Sequence, residues 1–213
     1  MIIIKNDKEI DLMRIAGRIV AETLLLVEKE VRPGITTAEL DRIAEEFITK
    51  HGAKPSFKGL YGFPASLCIS VNEQVVHGIP GGYVLKEGDS ISVDCGANIN
   101  GFHGDAARTF AVGNISEEAK RLIKVTEESF FKGLEFAKVG NKLTDISHEI
   151  QRYVEVSGFS VVREFVGHGI GKSVHEDPEV PNFGRPGRGP KLVAGMAVAR
   201  EPMVNMGTYS GAA

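Results

Sequence analysis

Two aspartates, Asp94 and Asp105, stand 11 residues apart where their side chains could share one ion. Asp94 lies in the segment SISVDCGA on the face opposite the apolar residues, and a buried carboxylate without a partner would cost too much. A turn at Gly101 would bring Asp105 back on an adjacent strand, facing Asp94. Two carboxylates at short range repel unless a cation or a shared proton lies between them. A divalent ion is therefore expected, although a salt bridge beside a turn would also explain Asp94 alone.

A histidine and a glutamate provide two more candidate metal ligands. His168 lies between Gly167 and Gly169, which let the backbone present its imidazole in an unusual direction. Glu201 alternates with small and apolar neighbours, so an acidic group again shares a face with core-type residues. Three carboxylates and one imidazole favour manganese, iron or cobalt over a thiolate-type zinc site. One or two such ions would lower the pKa of bound water towards about 7 and so supply hydroxide.

Helices and strands must hold these residues in place. Apolar spacing and capping signals predict helices over residues 6–32, 36–51, 116–138 and 143–156. Strands are predicted over residues 67–71, 91–95, 103–112, 161–162 and 196–204. Residues 167–171 and 177–190 are predicted to be loops rich in glycine and proline. Helices mixed with hairpins indicate the α+β class, with an antiparallel or mixed sheet.

The composition is that of a globular protein with a core of its own. The chain has 213 residues, 42% of them hydrophobic and 25% charged, which predicts a single domain over residues 1–213. A net charge of −3 argues against a specific nucleic-acid partner. Cys68 and Cys95 are too few for a disulfide framework. With no signal peptide and no long apolar run, we expect a cytoplasmic protein without a membrane partner.

Five segments of the chain stand out together by their order and spacing: VNEQVVHGIP, SVDCGA, FHGDAARTF, VGHGIGKSVHEDPEVPN and EPMVN. This series is similar to the motifs of type I methionine aminopeptidases. The resemblance implies the pita-bread fold, a curved sheet covered by helices. It also implies a metalloprotease, a hydrolase that removes the initiator methionine by attack of metal-bound hydroxide on the first peptide bond. The implied partners are peptides and nascent proteins that begin with methionine, and the ribosome.

The same resemblance assigns the metal ligands. It implies that Asp94, Asp105, His168 and Glu201 hold two divalent ions, with Asp105 bridging them. The ions would be cobalt, manganese or iron, with zinc and nickel as further candidates. Glu201 would also help to move the proton of the attacking water.

Two further histidines are implied to be catalytic. By the resemblance, His77 contacts the substrate beside the scissile bond, and His175 stabilises the tetrahedral intermediate. Chemistry supports both, because amide hydrolysis needs a donor for the developing oxyanion and help for the leaving nitrogen. Both residues lie on irregular segments beside predicted strands.

An apolar slot for the methionine side chain is implied as well. The corresponding residues of this chain are Phe57, Leu60, Phe63 and Cys68. An unbranched thioether suits such a slot. Cys68 fits a pocket and an ordinary core position equally well.

The other histidines and the second cysteine have ordinary explanations. His51 precedes a glycine that ends a predicted helix, and His103 and His148 are interpreted as structural. Cys95 shares its face with apolar residues and is predicted to be core. The glycines of residues 167–171 are not a dinucleotide fingerprint, because no strand-to-helix pattern surrounds them.

Two features depart from the family pattern. The family continues beyond EPMVN into a hairpin with a second bridging glutamate, and residues 207–213 hold no candidate for that ligand. Arg200 stands where the family has an aliphatic residue, and a guanidinium there needs a carboxylate partner, water or a wet face. We therefore expect an incomplete pita-bread fold at the C-terminus with an open sheet edge, a weak second metal site, and reduced or absent activity.

Two alternative functions remain open at this point. A non-catalytic pita-bread binding protein, or a truncated inactive homologue, would keep the ligands without turnover. A proline-specific dipeptidase of the same fold would usually carry an added N-terminal domain, which the short segment before residue 5 argues against.

Overall fold

The helices of the chain follow its helical apolar spacing closely. The computed structural model describes residues 1–210. Its α-helices are α1 (Asp7–Glu30), α2 (Thr37–Lys50), α3 (Glu117–Leu134) and α4 (Leu143–Val156). The capping box predicted at the start of α2 is present, since Thr36 and Glu39 exchange side-chain and backbone hydrogen bonds. All four predicted helices are thereby confirmed, and α3 ends earlier than expected.

The strands are short except for one long hairpin. They are β1 (Lys54–Pro55), β2 (Leu67–Val71), β3 (Ser90–Ile99), β4 (Phe102–Ala111), β5 (Ser160–Val161), β6 (Gly167–Gly169), β7 (Glu176–Val180), β8 (Val198–Ala199) and β9 (Val204–Asn205). Each pairing between these strands is antiparallel. None of the helices in the described part of the chain has an apolar stretch long enough to cross a membrane.

Two sequence predictions about the strands are wrong. The single strand expected over residues 196–204 is divided into β8 and β9, which pair with different partners, β6 and β5. Pro202 lies between them and has no N–H for a ladder. The loops expected over residues 167–171 and 177–190 contain β6 and most of β7. A Cβ on Gly167 would lie 2.4 Å from the carbonyl oxygen of Ala199, so this glycine marks close strand packing.

The described residues fall into two compact units. The N-terminal unit contains Asp7–Ser116 together with Gly171–Val174. The C-terminal unit contains Met1–Asn6, Glu117–Ile170 and the described chain from His175 onward. That these units form one catalytic domain remains a prediction.

The N-terminal unit is a sheet covered by α1 and α2. Strand β3 pairs with β4 along its whole length on one edge and with β1 and β2 on the other. Asn100 and Gly101, both with positive φ, form the two-residue turn of the hairpin, as predicted. Alternate residues of β3 have no exposed surface: Ile91, Val93, Cys95 and Ala97. Cys95 is thus core as expected, and burial raises the pKa of its thiol well above the usual value.

The C-terminal unit packs α3 and α4 beside two small sheets. Strand β6 is central in the order β7-β6-β8, and β5 pairs with β9. The buried core of this unit joins α4 to β5 and β7: Ile146, Ile150, Val154, Phe159, Val161 and Val180. The strand β6, which carries His168, is therefore held on both edges.

Helix α1 approaches β4 where Gly17 of the helix meets Gly104 of the strand, the residue before Asp105. A Cβ on Gly104 would lie 2.6 Å from the backbone nitrogen of Gly17 and 2.7 Å from the carbonyl carbon of Ala16. A Cβ on Gly17 would instead meet nothing within 4 Å. The position of the helix over the strand thus depends on Gly104 and tolerates a side chain at Gly17.

The two glycines predict opposite effects of the same substitution. Gly104→Ala should lower the free energy of unfolding by about 2 kcal/mol, because rigid backbone must move apart. Gly17→Ala should raise it by about 1 kcal/mol through helix propensity. Urea unfolding of both variants measures this, and a Gly104→Ala variant as stable as the wild type would contradict the close approach.

Candidate metal centre

Three of the predicted site residues meet in the C-terminal unit. His168 lies on β6 opposite Ala199 of β8, and Glu201 follows two residues after Ala199. His168 Nε2 is 3.1 Å from Glu201 Oε1. The ring of His175, which directly precedes β7, lies edge-on to the ring of His168 with 4.4 Å between centroids. The three-stranded sheet therefore gathers two imidazoles and one carboxylate.

Nε2 of His168 faces Glu201, and the hydrogen bond made by the other ring nitrogen determines where the proton of the neutral ring lies. Nδ1 lies 2.9 Å from the carbonyl oxygen of Gly169, which can only accept, so Nδ1 carries the proton. The neutral ring then has its lone pair on Nε2. Glu201 Oε1 is buried and accepts no hydrogen bond from the residues that the structure describes. Two acceptor atoms side by side, one oriented by a backbone carbonyl, fit a divalent cation between them.

The backbone of Glu201 is held by a residue that follows β7, the strand on the other side of β6. The side-chain amide of Asn182 is completely buried and donates to the carbonyl oxygen of Glu201 at 2.6 Å. Asn182 follows β7, and Glu201 follows β8, so this bond fixes two strand ends together. Sequence reasoning did not single out Asn182, since one asparagine in a Pro/Gly-rich stretch carries no signal of its own.

Arg200 is half-buried, and two of its guanidinium nitrogens lack partners in the described residues. Its Nη1 donates to the carbonyl oxygen of Val180 at 3.4 Å, while Nε and Nη2 are shielded from solvent and make no hydrogen bond within residues 1–210. The expectation of a wet face is therefore wrong for these atoms. Burial lowers the pKa of Arg200 to about 10. This guanidinium is a cost to the folded state.

Removing the guanidinium should stabilise the protein. Because the pKa is lowered in the folded state, the cost is fully present at neutral pH and declines only as the pH rises past about 10. Arg200→Leu is expected to raise the free energy of unfolding at pH 7 by about 1–3 kcal/mol. Exposed Arg188→Leu is the matched control and should change it little. Thermal unfolding at pH 7 would contradict this account if Arg200→Leu melted lower than the wild type.

The two aspartates share one face of the N-terminal sheet. Asp94 pairs with Ala107 and Asp105 pairs with Gly96, so the two carboxylates are diagonal neighbours on adjacent strands. Both residues are half-buried. The expectation that they share a face of adjacent strands is confirmed. Asp105 lies two residues away from the position directly opposite Asp94. Their role as ligands remains a prediction.

The four residues expected to form the apolar slot lie in one cluster. Phe57 and Cys68 are buried together, and Leu60 and Phe63 pack against them. Val174 belongs to the same buried cluster and was missed in the sequence, where its place between the polar residues Ser173 and His175 was the only local signal. Cys68, which fitted core and pocket equally, is buried in this cluster, and the use of the cluster as a slot remains a prediction.

The apolar cluster that contains Phe57 and Cys68 lies on the face of the sheet that carries the aspartates. Cys68 of β2 pairs directly with Asp94 of β3. At Gly96, a Cβ would lie 2.8 Å from the ring of Phe57, so only glycine leaves space for this ring beside the strand. An apolar surface thus borders the carboxylates within one unit.

His77 lies on the loop that follows β2. It is exposed and has a φ of 60°, in the left-handed region. The next residue, Gly78, donates its N–H to Ser70 Oγ at 3.1 Å and accepts from the N–H of Ile69 at 2.8 Å. A Cβ on Gly78 would lie 2.0 Å from the carbonyl oxygen of Ile69. The loop is therefore pinned to β2 and presents His77 in a strained conformation.

The histidines interpreted as structural make local hydrogen bonds. His103 Nδ1 lies 2.8 Å from Ser56 Oγ, and its Nε2 lies 2.7 Å from Asn98 Nδ2. His51 bonds to the carbonyl oxygen of a residue one turn earlier in α2, and His148 bonds to a backbone carbonyl of the 184 turn. These contacts support the structural interpretation.

Comparisons with known proteins identify the class. Residues 11–212 match the model of metallopeptidase family M24. The methionine aminopeptidase of Clostridium perfringens is 77% identical over 98% of this chain and 84% of its own length. Methionine aminopeptidase 1 of Bacillus subtilis is 59% identical over the same shares of the two chains.

Solved structures narrow the class further. The crystal structure of the Thermotoga maritima methionine aminopeptidase is 47% identical, has a TM-score of 0.97, and is matched over 98% of this chain and 84% of that one. The chain therefore belongs to metallopeptidase family M24 and, within it, to the methionine aminopeptidases. The resemblance, the pita-bread fold and the α+β class are thereby confirmed, and the non-catalytic alternative is not favoured.

Proposed function

We propose that this chain removes the initiator methionine from nascent proteins and from peptides whose first residue is methionine. Membership of the methionine aminopeptidases supports the reaction. The observation that carries it in this chain is the pair of acceptor atoms, His168 Nε2 and Glu201 Oε1, beside the ring of His175. A buried carboxylate oxygen without a donor in the described residues, next to an oriented imidazole, supports a metal site that would serve hydrolysis.

Two divalent ions are proposed as the cofactors. Asp94, Asp105, His168 and Glu201 are the proposed ligands, with Asp105 bridging. The oxygen-rich set suits manganese, iron or cobalt, with zinc or nickel as further candidates. When bound, such ions polarise the substrate carbonyl and make a water molecule acidic enough to attack it.

The chain's own side chains then handle protons and charge. Glu201 has a carboxylate oxygen without a hydrogen-bond donor in the described residues, and it is proposed to take up and return the proton of the attacking water. His175 is exposed and is proposed to donate to the oxyanion as it develops. His77, held at the end of a pinned loop, is proposed to contact the substrate near the leaving nitrogen.

The methionine side chain is proposed to occupy the slot formed by Phe57, Leu60, Phe63 and Cys68. These residues and Val174 offer aromatic, aliphatic and sulfur surfaces. A flexible, polarisable thioether adapts well to such a surface. Because Cys68 pairs with Asp94, a side chain in the slot would lie next to a proposed metal ligand.

The cellular setting is also proposed. Cys68 and Cys95 are both buried thiols outside any disulfide, which suits the reducing cytoplasm. A substrate that is a nascent chain further implies encounters at the ribosome.

Methionine release from the tripeptide Met-Ala-Ser tests the reaction. Release should depend on added manganese, iron or cobalt, and Glu201→Ala should reduce kcat by at least about 100-fold because the proton acceptor and a ligand are lost together. Exposed Glu118→Ala on α3 removes a carboxylate outside the site and should behave as the wild type. No release by folded wild-type protein at any metal concentration would refute the proposal.

Metal content tests the ligand assignment separately from activity. After dialysis against a series of manganese concentrations, the wild type should hold one ion at low manganese and two at high manganese. Asp105→Asn should weaken the binding of both ions because it is proposed to bridge them, whereas Asp94→Asn should weaken the binding of one. Elemental analysis of the dialysed protein gives the number of ions per chain. Equal losses in the two variants would remove the bridging role of Asp105, and two tightly held ions in the wild type would contradict the expected weak second site.

A further inference from the structure

We infer that the buried ion pair between Lys5 and Glu176 positions His175 for catalysis. Lys5 Nζ lies 2.6 Å from Glu176 Oε2, and the two side chains are only 3% and 6% exposed. A lysine is almost never buried so completely unless it is paired. The inference rests on the proposed function, in which His175 stabilises the oxyanion.

The backbone position of Glu176 constrains the position of the neighbouring histidine. It is the first residue of β7 and is joined to His175 by one peptide bond. Successive side chains of an extended chain point to opposite sides. Accordingly, Glu176 is directed into the protein, whereas His175 is exposed beside His168. Any tilt of the Glu176 backbone therefore moves the His175 ring.

Lys5 also contacts the chain that leads to Glu201. Its backbone N–H donates to the carbonyl oxygen of Gly195 at 2.8 Å. Gly195 has a φ of 85°, and a Cβ there would lie 2.4 Å from the carbonyl oxygen of Lys5. Gly195 stands three residues before β8. Lys5 therefore contacts both sides of the β7-β6-β8 sheet: its side chain pairs with β7, and its backbone bonds to the segment that leads into β8.

This double contact explains why a charge is kept in the interior. An apolar pair of similar volume would often be at least as stable as a buried ion pair. An ion pair, however, has a preferred distance and direction, and it keeps the start of β7 in one place. Misplacing a catalytic group by about 1 Å can cost about 100-fold in rate. Lys5 and Glu176 are thus positioning residues rather than catalytic ones.

Lys5→Met tests the inference with the Met-Ala-Ser assay. We expect kcat to fall by about 10–100-fold, while KM stays within about threefold, because binding in the apolar slot is untouched. Val154→Ala is the control for stability, since it leaves a cavity in the fully buried core of the same unit. Lys120→Met removes an exposed lysine that pairs with Glu117, and it controls for lost charge. Both controls should keep the wild-type kcat.

A double-mutant cycle separates positioning from general destabilisation. If Lys5 acts through His175, then His175→Ala should reduce kcat much less in the Lys5→Met background than in the wild type. Additive losses would overturn the inference. If His175→Ala alone leaves kcat unchanged, the proposed role of His175 fails first, so the two failures are distinguishable.

A second variant keeps the test valid if Lys5→Met fails to fold. In Lys5→Met/Glu176→Met both charges are replaced together, so neither is left buried and unpaired. We expect this variant to regain thermal stability and to retain the low kcat. Recovery of both stability and kcat would show that the ion pair only supports folding and would overturn the inference.

Discussion

A buried carboxylate oxygen without a hydrogen-bond donor is the constraint on which the C-terminal unit depends. Glu201 Oε1 lies 3.1 Å from His168 Nε2, and a backbone carbonyl keeps the proton of that imidazole on its other nitrogen. A buried acceptor without a donor is costly, and a cation bound by both atoms would offset that cost. Strands β6 and β8 bring the two residues together, and the amide of Asn182 bonds to the backbone of Glu201.

Glycine makes this precision possible in both units, through close approach rather than flexibility. Because Gly167 and Gly169 have no Cβ, β6 can pack directly against the backbone of β7 and β8. His168 lies between these two glycines on β6. Gly104 does the same for α1 against β4, one residue from Asp105, and Gly96 leaves space for Phe57. His168, Asp105 and Phe57 are therefore each next to a position where a Cβ would not fit, so their placement depends on close backbone packing.

Arg200 shows the opposite situation, a residue that the surrounding structure does not satisfy. Arg200 precedes Glu201 in the chain, yet among residues 1–210 only the carbonyl oxygen of Val180 accepts from its guanidinium. Lys5 is buried, but its ammonium pairs with Glu176. The contrast shows that a buried charge is tolerable when a partner replaces water.

The sequence by itself determined the helices and the β3–β4 hairpin, because period, capping and turn signals are local. Its motif segments were distinctive enough to identify the family. It misread residues 167–171 and 177–190 as loops, although they contain β6 and most of β7, and it misread residues 196–204 as one strand. Glycine and proline are common in turns, but here they also lie where distant segments pack closely. Val174, Asn182 and the Lys5–Glu176 pair became visible only in the tertiary structure, since their partners are remote in the chain and no local pattern records such contacts.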